Sequence, residues 1–411
     1  MPAASWAGDV VPPRPSVTAS LTLRECYALA LKQSEDIAVQ QELIKETEGR
    51  FLQAVSGVLP RASFSSSDTR QDASGESAFK LQHVPLRKFT FSQPLFAGFK
   101  EFAAMAGSRA ERRQRTYEKA RAEQLLFTDV SQAFYLLLEQ REDRRALEAI
   151  RLTLMGRIED LQERERLGRS RPSEVVSAEA QLRRIEAERE GVQSQETTAR
   201  QLLEFLTGLD GLEAVSDTET LPEELESEDA YLATSASRPD VRAAEERWRV
   251  ARQQVAIERA KFWPTVDVES NYYVKRVGNS EGVDWDALLK IEVPIFQGGQ
   301  ALGATKEAGA LARQAKWQLQ KAERTASLDI RDKYAQLQAA LATQRAFEKA
   351  LEAAEDNYRL QTEDYRRSLV NNLEVLQALQ ALEDARRDLV HATYEAKRLY
   401  WQLQVATGKT G

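Results

Sequence analysis

The chain of 411 residues carries 57 Lys plus Arg against 64 Asp plus Glu, a net charge of -7 and a mean hydropathy of -0.52, which speaks against a nucleic-acid partner. No run of about 18 apolar residues occurs, so a transmembrane helix is excluded and any crossing of a bilayer falls to strands. One cysteine, Cys26, and two histidines, His83 and His391, leave almost no material for a metal cage or a Cys/His nucleophile pair, and none for an intrachain disulfide.

In chain order, residues 1–20 form a Pro/Ala/Ser-rich, flexible N-terminal segment. It lacks a basic n-region and an apolar h-region, which leaves two readings, a trimmed leader or a cytosolic protein. A first repeat is expected over 21–207. Its helix runs from about Leu21 to Val58 with Cys26 as a packed thiol, its strands cover about 60–72 and 79–95, and its helical hairpin covers about 100–206. Phe64, Ser66 and Asp68 alternate with serines, and Leu81 to Phe91 changes register around Pro85, which predicts a bulge or an edge position. From Phe102 to Leu167 no proline interrupts, so at 1.5 Å per residue the helix would run roughly 100 Å.

An acidic connector over 208–228 follows: from Gln201 to Ser237 there is no Lys or Arg, while Asp210, Glu213, Asp217, Glu219, Glu223, Glu224, Glu226, Glu228 and Asp229 accumulate. This reads as a solvated link with a helix start near its end. The second repeat, 229–411, has a helix from about Asp229 to Phe262, strands at about 264–276 and 284–295 and a helical hairpin at about 300–407. Here the alternation is strict. Val266, Val268, Ser270, Tyr272 and Val274 share a face with Trp285, Ala287, Leu289, Ile291 and Val293, whereas Thr265, Asp267, Glu269, Asn271, Tyr273, Asp284, Asp286, Leu288, Lys290 and Glu292 occupy the other. About ten such residues, tilted by about 40°, rise roughly 25 Å, the height of a membrane barrel's apolar band. On this stretch alone, a half-buried hairpin on a soluble core serves as well.

The repeats match in register. Asp36-Ile37 pairs with Asp240-Val241 and Leu59-Pro60 with Trp263-Pro264 at a shift of 204 (240 minus 36), while Pro94-Leu95-Phe96-Ala97-Gly98 pairs with Pro294-Ile295-Phe296-Gln297-Gly298 and Glu174-Val175 with Glu374-Val375 at a shift of 200 (294 minus 94). An apolar line Ala308, Ala312, Ala315, Leu319, Ala322, Ala326, Ile330, Tyr334, Leu337, Leu341 keeps the period of a nearly straight helix. Leu351, Ala354, Tyr358 and Tyr365 then fit the tighter repeat of a left-handed coil.

The order of helix, strand pair and long helical hairpin, given twice with these Leu-Pro, Trp-Pro and Pro-x-Phe-x-Gly flanks, resembles the TolC-like outer membrane efflux proteins over about Leu21 to Gly408. The resemblance implies a mainly α chain with a small β part that forms a homotrimer, with a twelve-stranded β-barrel in outer membrane lipid and an α-helical barrel in the periplasm. It implies an exit duct of a tripartite efflux or type I secretion system, without cofactor, catalytic residue or metal. A periplasmic adaptor of the membrane-fusion kind opens it, and an inner-membrane pump of the RND, ABC or MFS class drives it. Val266, Val268, Tyr272, Trp285, Leu289, Ile291 and Val293 are expected to face lipid, and Asp267, Glu269, Asp286 and Lys290 to line water.

At the helix tips, Tyr365, Glu174 and Glu374 match the family's periplasmic gate, and Gly168, Arg169, Ser368 and Leu369 stand where the adaptor docks. Ser368 departs from an expected glycine, Val370 from an expected arginine and Gln377 from an inner acidic residue. Arg164, Arg166, Arg169, Arg171, Arg366 and Arg367 make a basic rim there, expected to favour the helix C-termini, to hold the tip against Glu174 or Glu374, or to meet an acidic adaptor tip. The alternatives are a soluble coiled-coil scaffold, which leaves two equivalent alternating hairpins unexplained, and an adaptor-like protein, which leaves the twofold repeat unexplained.

Overall fold

A computed structural model describes residues 20–72, 81–212, 214–222, 224–278 and 280–409. The flexible segment expected before residue 20, the expected strand start at 79–80, Glu213 and Glu223 of the connector, and Asn279 of the second turn lie outside the described residues. In chain order the elements are α1 (Leu23–Gln33), α2 (Glu35–Ser56), β1 (Arg61–Arg70), β2 (His83–Ala97), α3 (Lys100–Arg166), α4 (Pro172–Thr207), α5 (Glu228–Leu232), a 3-10 turn (Ser235–Ser237), α6 (Pro239–Ala260), β3 (Thr265–Lys275), β4 (Trp285–Glu292), α7 (Gln300–Arg366) and α8 (Asn372–Ala406). No described helix is long and apolar enough to cross a membrane.

Left-handed backbone positions recur at a fixed spacing along the chain. Gly98 and Gly298 have φ of 65° and 59°, Gly168 and Ser368 have 68° and 63°, and Gly208 and Gly408 have 71° and 88°, each pair separated by 200 residues (298 minus 98). Gly98 and Gly208 are required there on space as well as on φ. A Cβ at Gly98 would lie 2.7 Å from the Ala260 carbonyl oxygen, and one at Gly208 would lie 2.6 Å from Gln33 Cγ.

Two stretches that the sequence suggested as continuous helices, about 21–58 and 229–262, are broken. In the first, Ser34 ends α1 with ψ of 114°, and its Oγ accepts the Ile37 N–H at 3.3 Å to start α2. In the second, α5 ends at Leu232, the 3-10 turn follows, and Arg238, at the equivalent position (238 minus 34 is 204), is the residue before Pro239 and is pushed to ψ of 140°. Proline then begins α6 because its missing N–H is among those a first turn leaves free.

The chain divides into two compact units. The first gathers the described residues of Met1–Ile37, Arg121–Arg238 and Thr325–Gly411. One cluster packs Leu23, Cys26 and Ala30 of α1 against Phe127, Phe134, Tyr135, Leu203 and Trp401, with Trp401 Nε1 donating to Tyr135 Oη at 3.0 Å. A second joins Leu147, Ile150, Leu154 and Leu161 of α3 to Ile185 and Val192 of α4 and to Val375 and Leu379 of α8. A third centres on Tyr231, Ile330, Leu337, Leu399 and Leu403.

The acidic connector carries fewer free charges than its composition suggests. Val215 makes a parallel bridge with Leu21, Leu209 and Leu212 are buried, Asp217 takes Lys397, and Glu219 takes Arg24 at 3.2 Å. The long apolar line of α7 is buried or half-buried at every position from Ala308 to Leu341.

The second unit, Ala38–Ala120 with Pro239–Arg324, contains α2, α6 and a four-stranded antiparallel sheet in the order β1-β2-β3-β4. β1 and β4 are its edges. The strands differ from expectation at their ends: β2 starts and finishes later, running to Ala97, and β4 stops at Glu292, so that Val293 lies just past it. Pro294 has no N–H to continue the ladder, and it restricts the residue before it. The irregularities in β2 fall at Arg87/Lys88 and Pro94/Phe96 in its pairing with β3, whereas Pro85 pairs with Asp68 in an unbroken β1–β2 register. Pro85 lies beyond the last β3 pair, so its missing N–H costs no ladder bond.

Candidate functional site

Two sets of residues stand out, one in each unit. In the sheet, the register brings Val266 opposite Ile291, Val268 opposite Leu289 and Tyr272 opposite Trp285, while Asp267 meets Lys290 and Asn271 meets Asp286. By register, Val266, Val268, Tyr272, Trp285, Leu289 and Ile291 lie on one face of the sheet and Asp267, Glu269, Asp286 and Lys290 on the other, while Val293 lies past the end of β4. The register also places Phe64 opposite Phe89 and Phe89 opposite Tyr272, so one row of rings, Phe64, Phe89, Tyr272 and Trp285, crosses all four strands. All four are exposed, Trp285 at 65%.

A second aromatic group gathers at the other end of the strands. Phe96 lies 5.1 Å from Phe99 and 6.4 Å from Trp263 between ring centroids, and Phe102 is 6.2 Å from Phe99. Ile295 and Phe296 are 95% and 87% exposed beside it.

The polar face is a bonded network. Asn271 Oδ1 accepts from Lys88 Nζ and Thr90 Oγ1, both at 2.8 Å, and Asn271 Nδ2 donates to Asp286 Oδ1 at 2.9 Å. Tyr273 Oη donates to Asp286 Oδ2 at 2.7 Å. Lys290 pairs with Glu292 at 2.8 Å.

In the first unit, the α3–α4 and α7–α8 turns are copies of each other. Arg169 N–H donates to the Arg164 carbonyl at 2.7 Å, and Leu369 N–H to the Asp364 carbonyl at 2.9 Å, around a left-handed residue that is Gly168 in one turn and Ser368 in the other. These are the αL stops that end helices with a five-residue back-bond.

Tyr365 and Glu174 come together: Tyr365 is 6% exposed, and its hydroxyl reaches Glu174 Oε2 at 3.4 Å, where Ser170 Oγ donates at 2.8 Å. Glu374 is engaged differently, in a reciprocal cap with Asn371, whose Oδ1 accepts the Glu374 N–H at 3.2 Å. Arg169 and Leu369 are exposed, Arg367 pairs with Glu363 one turn back, and Val370 packs against the second cluster.

The sequence reading missed two residues. The Arg157 guanidinium lies 3.9 Å from the Tyr365 ring centroid and donates to Asn372 Oδ1 from Nε at 3.1 Å and from Nη2 at 2.8 Å. Arg164 covers the same ring at 4.7 Å. Asn372 is 2% exposed and donates to the Glu174 carbonyl at 3.4 Å. Arg157 forms no ion pair among the described residues, and burial pulls its guanidinium below the usual arginine range. The signal was present in the spacing: Arg157 interrupts the apolar run Leu147, Ile150, Leu154, Ile158, Leu161, where a cation has no reason to sit unless it is held. Side chains of α3, α4, α7 and α8 thus meet at one tyrosine.

Residues 231–409 match the family model described as outer membrane efflux protein. Outer membrane protein TolC of Vibrio cholerae is 24% identical over 337 residues, covering 77% of this chain and 75% of that protein. Nodulation protein T of Rhizobium leguminosarum bv. trifolii is 25% identical over 177 residues, 42% of this chain and 38% of its own length. The crystal structure of the outer membrane protein VceC from Vibrio cholerae superposes with a TM-score of 0.83 at 23% identity, covering 94% of this chain and 96% of that one. The Campylobacter jejuni CmeC outer membrane channel gives 0.81 at 16%, covering 99% and 93%. At these identities the structural likeness speaks for the fold.

Proposed function

We propose, from the premise that this chain is a TolC-like member of the outer membrane efflux protein family, that it is the outer membrane channel of an efflux or type I secretion system. It is a passive exit duct from the periplasm to the exterior, with no chemistry of its own. The sheet carries this reading. β3 runs from Thr265 to Lys275, ten residue steps that at about 3.3 Å each with a tilt of about 40° rise about 25 Å, the height of the apolar band of a membrane barrel. Val266, Val268, Leu289 and Ile291 lie between the two aromatic groups on the face assigned to lipid, with Tyr272 and Trp285 at its border and Val293 just past β4. Asp267, Glu269, Asp286 and Lys290 line water.

Open edges at β1 and β4 cannot stand in lipid, where every unpaired backbone N–H and C=O costs several kcal/mol. Further copies must close the sheet. We assign three copies and twelve strands by likeness to the family, with the helices in the periplasm. Gly168, Arg169, Ser368 and Leu369 then meet the adaptor, and Tyr365, Glu174 and Glu374 narrow the entrance. Arg157 supplies from α3 the cation that Val370 does not supply at the start of α8. An inner-membrane pump provides the energy, and adaptor binding biases an outward swing of the tips.

Fractionation and planar-bilayer recording test this together. A heat-modifiable trimer in the outer membrane fraction that produces discrete conductance steps is expected. Full recovery in the soluble fraction without conductance refutes the duct and favours a coiled-coil scaffold.

A further inference from the structure

The seam where α8 packs on the α3–α4 hairpin is charged along its length. Arg387 of α8 donates to both oxygens of Asp143 on α3, at 2.6 and 3.1 Å, and to Glu188 of α4 at 2.9 Å. Glu383, one turn earlier, is 1% exposed. Its Oε1 lies 3.9 Å from that already committed Arg387, and its Oε2 lies 3.5 Å from Arg184 of α4 without a hydrogen bond. Arg184 is also shared with Glu188 at 3.5 Å. Two turns later, Glu139 of α3 takes His391 and Arg398 of α8 on its two oxygens.

The charges do not balance without a proton. Glu139, Asp143, Glu188 and Glu383 face Arg184, Arg387 and Arg398, four carboxylates against three guanidiniums, with His391 as the remaining titratable partner. Asp384 adds further negative potential beside Glu383. Glu395, the second partner of Arg398, is exposed, and on the other side of α8 Arg386 is matched by Glu355 of α7 at 3.0 Å. A buried carboxylate left without a full partner takes a proton rather than remain charged.

We propose that this seam is a proton-dependent clasp: one proton held by Glu383 or His391 neutralises it and fastens α8 to the α3–α4 hairpin, and loss of that proton on alkalinisation loosens it. As a device of the channel this rests on the duct reading, since it then sets how readily the tips part.

The directions agree. Burial pushes the Glu383 carboxyl up to about 7, with Glu188 adding to the push, and the hydrogen bond to Glu139 raises His391. Both groups are raised on folding, so each gives stability that is present at low pH and lost as pH rises through its folded value. For Glu383 the window runs from about 4.5 to about 7. For His391 it starts near 6.5 and extends upward, with the contribution screened because that side chain is half exposed.

The test uses the full-length protein in detergent. Amide hydrogen exchange of the α8 segment around Glu383, corrected for the intrinsic pH dependence, is expected to lose on the order of tenfold in protection between pH 5.5 and 8.5. Glu383→Gln, which mimics the protonated acid, is expected to keep the acid level of protection at both values. Unchanged wild-type protection overturns the clasp even if the variant fails to fold, and so does a variant that follows the wild-type profile. Conductance against pH reads the link to the duct: a wild-type protein that conducts at no pH removes the duct while leaving the exchange result to judge the clasp.

Discussion

Exchanging the residues at the two helix turns isolates one backbone term. Gly168 and Ser368 occupy equivalent αL stops with φ of 68° and 63°, both exposed, and a Cβ at Gly168 would meet nothing within 4 Å. Sterics beyond the residue itself are therefore silent, and only the conformational preference distinguishes the two. A side chain in the left-handed region costs about 1–2 kcal/mol. Glycine gives back about 0.5–1 kcal/mol of that through the extra freedom it brings to the unfolded chain. Ser368→Gly is thus expected to stabilise its turn by about 0.5–1 kcal/mol and Gly168→Ser to destabilise its own by the same amount. In local opening this is about a twofold to fivefold change in hydrogen exchange of the amides of residues 366–370 or 166–170, slower in the first variant and faster in the second. In melting temperature it is only about 1 °C, since a chain of 411 residues spreads one kcal/mol over a large unfolding entropy. The double exchange should return both turns near their starting sum. Faster exchange in Ser368→Gly, or no loss in Gly168→Ser, would mean that the serine hydroxyl or a partner chain fixes the turn, and the backbone argument would fail.

Arg157→Ala removes both donors to the buried Asn372 Oδ1 and uncovers Tyr365, so a loss of about 1–3 kcal/mol is expected, reduced by relief of a buried guanidinium that has no carboxylate. Thermal melting should fall and single-channel conductance should rise, with Arg157→Lys restoring only part of either; a variant equal to wild type in both would show that Asn372 and Tyr365 hold the tip without it. Cys26 is buried, and burial pushes its thiol up to about 12. Maleimide labelling of the folded protein at pH 8 should therefore be negligible and become complete in denaturant, and rapid native labelling would place α1 outside the core.

What the sequence disclosed and what it withheld divide by the range of the interaction. The faces of β3 and β4 were legible because alternation is a property of consecutive residues, and the positions around the turns because Pro94–Gly98 and Glu174-Val175 match Pro294–Gly298 and Glu374-Val375 at a fixed shift. The helix break at Ser34 was hidden, because a serine inside an amphipathic run is as acceptable on a helix surface as at a cap and only the side-chain bond to Ile37 decides, whereas the break at Arg238 is signalled by the proline that follows it.

The aromatic row needed more than alternation. Phe64 and Phe89 sit in strands whose own patterns are blurred by serines and by Pro85, and they join Tyr272 and Trp285 only once three pairings are in register. A slip of one residue in β1 would turn Phe64 to the opposite face and break the row. Register therefore carries information that the first hairpin's composition lacks. The same holds at the tips, where Arg157 lies 208 residues before Tyr365 (365 minus 157) and no periodicity of α3 can reveal which ring it covers. A buried cation in an apolar helical line marks that some partner exists; only the packing of the four helices shows that the partner is the one tyrosine the resemblance had already placed at the entrance.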